Sequence, residues 1–103
     1  MKNHPEIFHL DWQGIAIEIS FTADWSNAFR EVYGYSLTHT EIRAENKQRL
    51  PITETGYKSA FLPTSTIEEQ GGPLGYVEAW LNAEADSQEW TNYCEEQRQG
   101  SLF

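Results

Sequence analysis

Cysteine is nearly absent from this chain. Its 103 residues contain one, Cys94, so no disulfide forms within it and a cysteine-rich metal site is excluded. Basic residues are scarce too: seven Lys and Arg stand against 16 Asp and Glu, for a net charge of −9. Gripping a nucleic-acid backbone takes Lys and Arg that displace counterions, so direct nucleic-acid binding is not expected. No hydrophobic stretch is long enough to cross a membrane, and residues 1–6 carry no apolar run. Neither a signal peptide nor a membrane span is expected, and a reducing, cytoplasmic setting is. Also missing are a glycine-rich phosphate loop, a His-Glu-x-x-His pattern and a serine in a nucleophile elbow. No cofactor is expected. What the chain has in quantity is aromatic side chains, 14% of the total, enough to furnish a core and to argue against disorder. The length suits one domain whose core needs no covalent staple.

The first two thirds read as strands. In residues 7–12, Phe8, Leu10 and Trp12 alternate with His9 and Asp11; in residues 15–21, Ile15, Ile17, Ile19 and Phe21 alternate with Glu18 and Ser20. Gln13-Gly14 between them is a turn signal, so the pair predicts a β-hairpin with one buried face. Residues 24–34 place Trp25, Ala28, Phe29 and Val32 at helical spacing over a short stretch, read here as a loop with at most a helical turn. Residues 35–45, rich in Thr and β-branched side chains, predict a third strand. Residues 50–62 predict a fourth, turned around Thr55-Gly56, with Pro63 closing the sheet.

After Pro63 the hydrophobic period changes from two to about 3.6. Ser65-Thr66-Ile67-Glu68 reads as a capping box for a short helix ending at Gly71-Gly72. Pro73 suits the first turn of the next helix, whose stripe is Leu74, Tyr76, Val77, Trp80 and Leu81. Asp86 and Glu89 repeat the capping pattern before Trp90, Tyr93, Cys94 and Gln97 on one face. Strands first and helices after predict an α+β fold: an antiparallel sheet of three to four strands over about 7–62, then two to three helices over about 64–98 on one face. Residues 1–98 form the expected single domain, and residues 99–103 a tail. The acidity is uneven, since from Thr64 onward eight acids face Arg98 alone. Such a stretch is either a solvated helical face or a surface that imitates the charge of DNA.

The tail carries the first resemblance. Gln99, Ser101, Leu102 and Phe103 are similar to the short peptide with which bacterial replication and repair proteins grip the sliding clamp; Gly100 stands where that peptide usually has Leu. Leucine and phenylalanine fill an apolar pocket on a partner, while the glutamine supplies directional hydrogen bonds. The alternative is a frayed terminus that ends in two apolar residues. A second resemblance rests on three stretches. They are Trp12-Gln13-Gly14 with Ile17-Glu18-Ile19, then Leu50-Pro51-Ile52-Thr53-Glu54-Thr55-Gly56-Tyr57-Lys58-Ser59-Ala60-Phe61, then Gly71-Gly72-Pro73 with Tyr76-Val77-Glu78-Ala79-Trp80-Leu81. They resemble a family of small bacterial proteins associated with plasmids and other mobile elements, members of which often end in a clamp-like peptide. The resemblance implies a bacterial, cytoplasmic setting near replication or element maintenance, and no catalytic residues.

Two groups in the body of the chain are candidate sites. Thr53, Glu54, Thr55, Gly56, Tyr57 and Lys58 combine hydroxyls, a carboxylate, a glycine and a ring, as recognition loops do; a polar turn whose threonines satisfy local backbone is the alternative. His9, Glu18, His39 and Glu41 would share the polar face of the sheet if the first three strands are neighbours, as an acid–base or metal site or as ordinary cross-strand pairs. Cys94, flanked by Glu95 and Glu96, suits a buried thiol rather than a nucleophile. The sequence therefore predicts a non-enzymatic interaction module that docks on the sliding clamp through Gln99, Ser101, Leu102 and Phe103. An acidic DNA mimic that inhibits a DNA-binding defence or restriction protein is the alternative, and a small enzyme with a His/Glu site on the sheet stands third.

Overall fold

Alternating side chains need a partner layer, and in this protein the helices supply it. The computed structural model describes residues 5–100. Four strands, β1 (Glu6–Trp12), β2 (Ile15–Thr22), β3 (Leu37–Ala44) and β4 (Tyr57–Pro63), form one antiparallel sheet in the order β1-β2-β3-β4. Helix α1 (Asn27–Tyr33) lies between β2 and β3; α2 (Thr64–Glu69), α3 (Gly72–Ala85) and α4 (Gln88–Gly100) follow the sheet. This is the α+β arrangement expected from the change of period at Pro63. No helix among the described residues is long and apolar enough to cross a membrane.

The first hairpin turns through Gln13 and Gly14, with φ of 50° and 80°. Both values are positive, as the tight turn joining twisted strands demands, and glycine meets that demand without a Cβ penalty. The pairing Trp12↔Ile15 closes it. From there the register puts Phe8, Leu10 and Trp12 beside Ile19, Ile17 and Ile15, and Ile19 and Ile17 beside Ile42 and Ala44. This inner face is covered by Val77 and Leu81 of α3, Trp90 of α4 and Leu50 of the β3–β4 connection. Ile17, Ile19, Ile42, Leu50, Val77 and Leu81 are 0–1% exposed, and burial of each contributes roughly 1.5–3 kcal/mol. Trp12 ties the layers together: its indole N–H donates to Asn82 Oδ1 at 2.9 Å, and its ring lies 5.8 Å from that of Trp90.

Four local expectations are corrected. Residues 24–34 contain a true helix, α1, rather than a loop. Ser26 Oγ accepts from the Phe29 N–H at 3.1 Å, Gly34 closes the last turn, and Asp24 pairs with Arg30. The two caps compensate for a core contact it lacks, since none of its residues is buried. The fourth strand begins at Tyr57, and residues 50–56 form an irregular connection held by the Leu50↔Thr53 bridge. The capping box at Ser65 does not form: α2 starts at Thr64 without a side-chain cap. Thr64 Oγ1 instead bonds the hydroxyls of Ser36 and Thr38 at 2.8 and 2.6 Å, seaming α2 to β3. Finally, Ser87 caps α4, its Oγ accepting from the Trp90 N–H at 3.2 Å, while Asp86 ends α3.

Candidate functional site

Helices cover one side of the sheet, and among the described residues nothing covers the other. Strand register sorts this outer face into rows: His9, Glu18, Arg43 and Tyr57; then Ile7, Ser20, Glu41 and Ser59; then Thr22, His39 and Phe61. In the first row His9 Nε2 lies 4.0 Å from Glu18 Oε1, and the Arg43 guanidinium sits 5.0 Å from the centre of the Tyr57 ring. In the second, Glu41 Oε2 accepts from the Tyr57 hydroxyl at 2.6 Å and from Arg43 Nη2 at 3.4 Å. The phenol's hydrogen bond holds the Glu41 carboxyl below its ordinary pKa against partial burial, with Arg43 and His39 adding to the effect. The same bond raises the pKa of Tyr57, because ionising the phenol would set two anions together.

The third row ends in an aromatic ledge. His39 stacks on Phe61 with ring centres 4.4 Å apart and planes 9° off parallel. Trp25, whose backbone N–H donates to the Leu37 carbonyl at 2.7 Å, meets Phe61 edge to face at 4.8 Å. Trp25 and Phe61 are 46% and 47% exposed. At the opposite end of the face a groove of about 540 Å³ is lined by His9, Asp11, Ala16, Glu18, Arg43 and Glu45, among others. Ala16 and Ala44 are the smallest side chains that line it.

The sequence-predicted residues divide. His9, Glu18, His39 and Glu41 do share the outer face, but in three separate rows. Only His9 and Glu18 pair; His39 stacks on Phe61 and Glu41 is engaged by Tyr57 and Arg43. Among the described residues no group of three or more His, Cys, Asp or Glu is arranged to hold a metal ion.

The stretch from Thr53 to Lys58 is a structural turn more than one surface. The Thr53 hydroxyl donates to the Tyr57 carbonyl at 2.8 Å and accepts from the Thr55 N–H at 3.3 Å. Gly56 is buried with φ of 80°, and its carbonyl accepts from the Ala44 N–H at 2.8 Å; a Cβ there would lie 2.6 Å from the Lys47 carbonyl carbon. Tyr57 faces the outer side with Arg43, whereas Lys58 pairs with Ile42 on the inner side. Lys58 borders a cleft of about 370 Å³ that also takes in Thr53, Glu54, Glu84 and Glu89.

On the helices, Glu68, Glu69, Glu78, Glu84, Asp86, Glu89, Glu95 and Glu96 are all exposed. Gln99 and Gly100 close α4 as backbone, and Ser101, Leu102 and Phe103 lie outside the described residues.

The ledge was the feature sequence reasoning missed. Tyr57, Ser59 and Phe61 share one parity and Lys58, Ala60 and Leu62 the other, so β4 alone does not reveal which set faces the helices. The sheet and its ledge also lie in the part of the chain that a known family shares. Residues 5–90 match the family described as the KlcB third domain. The chain belongs to that family. KlcB is a plasmid-associated protein, so the match supports an association with mobile elements. The matched span takes in all four strands, α1, α2, α3 and the start of α4. No curated protein and no solved structure matched.

Proposed function

We propose that this KlcB-type domain is a non-enzymatic protein-interaction module serving mobile-element or DNA maintenance, tethered to the bacterial sliding clamp by Gln99, Ser101, Leu102 and Phe103. The observation that supports the tether is the standing of α4: Glu95, Glu96, Gln97 and Arg98 are all exposed, so the peptide sequence follows a helical segment that leaves the core. Leu102 and Phe103 act as paired anchors in an apolar pocket, and Gly100 adds backbone freedom that is lost on binding, which keeps the affinity modest. Titration of purified clamp with the full chain and with a chain ending at Arg98 tests the reading. Binding by the full chain alone supports it, and equal binding by both, or by neither, removes it. Alanine at Leu102 or Phe103 should cost roughly 2 kcal/mol or more, and Gly100→Leu should tighten the complex.

One observation favours a second reading. All eight acids beyond Thr64 stand exposed on α2, α3, α4 or the α3–α4 junction. On this reading the helices imitate DNA and inhibit a DNA-binding defence protein. Glutamine at Glu78, Glu89, Glu95 and Glu96 should then abolish partner binding, and binding that survives the four changes rejects the mimic.

A further inference from the structure

The outer face of the sheet combines two chemistries with no partner among the described residues. At one end Trp25 and Phe61 hold nearly half of their surface to water. At the other, Asp11, Glu18 and Glu45 ring the Ala16 groove, with Arg43 as the one full cation among the described residues that line it. Arg43 is itself engaged by Glu41 and Tyr57. Along β2 the two ends are Ala16 and Thr22, six residues apart, which is about 20 Å at the usual rise of a strand. An extended segment of some seven residues would span both.

Electrostatics selects the occupant. Aromatic platforms that stack single-stranded nucleic acid are set in positive grooves, whereas carboxylates outnumber cations here. A second copy is disfavoured as well, since two chains of net charge −9 repel. A basic segment meets neither objection. Its guanidinium or ammonium groups find carboxylates in the groove, and an apolar or guanidinium side chain finds the ring faces on the ledge. We propose that the outer face of the sheet is a docking surface for a basic, extended polypeptide segment, anchored on Trp25 and Phe61 and held by the carboxylates around Ala16. This surface belongs to the family-matched region and does not depend on the clamp-like tail.

The test uses the full chain and a short synthetic peptide that joins a phenylalanine to a run of arginines, followed by calorimetric titration and by amide chemical-shift mapping. Binding should perturb the amides of β2, β3 and β4 around the rows above. Trp25→Ala with Phe61→Ala should weaken it roughly tenfold or more, as loss of anchor side chains does. Asp11→Asn with Glu18→Gln should weaken it too and make it less sensitive to salt. These four side chains are exposed or half-exposed, and far-UV circular dichroism confirms that each variant is folded. Glutamine at Glu78, Glu89, Glu95 and Glu96, or a chain ending at Arg98, should bind the peptide as before. The proposal is overturned if the peptide fails to bind, or if the helix carboxylates rather than the outer face set the affinity. It is equally overturned if a single-stranded oligonucleotide binds the face in preference to the peptide, or if sedimentation shows a dimer that Trp25→Ala dissolves.

Discussion

Single side chains in this protein succeed or fail by whether their polar atoms find partners. Thr38 and Thr40 are both buried on the inner face of β3. Thr38 is satisfied by Thr64, but Thr40 Oγ1 has no hydrogen-bond partner among the described residues. Thr40→Val should therefore stabilise the fold by about 1 kcal/mol, the order of a buried hydroxyl's desolvation penalty, as read by chemical denaturation. Gly56 is the opposite case. Gly56→Ala forces a side chain into a positive φ and against the Lys47 backbone, and should cost roughly 1–3 kcal/mol. The Glu41–Tyr57 bond gives a pH dependence with a defined sign. Tyr57 has a raised folded pKa, so its contribution is full below the ordinary phenol value of about 10 and is lost as pH rises through the folded value. Glu41 has a lowered one, so its contribution is present above the ordinary carboxyl range and is lost as pH falls through the folded value. NMR titration of the Tyr57 ring carbon should show the elevated value, and Glu41→Gln should return it toward that of a free tyrosine.

At the scale of elements, a helix can be specified by its ends, by its buried face, or by both. α1 depends on its ends, because Ser26 and Gly34 cap a segment with no fully buried residue. Ser26→Ala should thus abolish amide protection across residues 27–33 in hydrogen exchange while moving the global unfolding midpoint little. α4 depends on both. Ser87 supplies its cap and Trp90 its buried anchor, so Ser87→Ala should cost about 1 kcal/mol. Asp86→Ala, which leaves that cap in place, should cost less. The pattern of Asp86 and Glu89 points to Asp86 as the cap, one residue before Ser87, where the cap forms. Only the docking of Trp90 under Trp12 settles which one lies at the helix start. The box at Ser65 failed for a similar reason. Thr64 is drawn to Ser36 and Thr38 across the sheet, so the chain enters α2 two residues earlier than a cap at Ser65 would start it.

For the whole molecule the decisive quantities are shape and charge. The radius of gyration is 15.7 Å, against about 13 Å for a compact chain of this length. An elongated body leaves more surface than its core requires, which is how one face of the sheet stays open among the described residues and no residue of α1 is fully buried. The acids of the helices add charge to that surface without holding it together. Replacing Glu78, Glu89, Glu95 and Glu96 by glutamine should shift stability by less than about 1 kcal/mol, since exposed charges contribute little. It should also flatten the dependence of the melting temperature on salt. A large loss of stability on denaturation of that variant would mean that the carboxylates are structural.

The sequence by itself determined the class of fold and most of its parts. Alternation in β1 and β2 reports on one covered face, the change of period after Pro63 on the helices that cover it, and Gln13-Gly14 on the hairpin between, because each is set by neighbours a few residues away. The tertiary structure alone decided what lies on the open side. Trp25 comes from a connection, His39 from β3 and Phe61 from β4, and none of them signals in its own segment that it will meet the others. Their meeting depends on the pairings Thr22↔His39 and His39↔Phe61. Those in turn follow from the register that best buries Ile17, Ile19 and Ile42 on the far side of the sheet. A surface formed by long-range register is a by-product of packing elsewhere, so local pattern carries no trace of it.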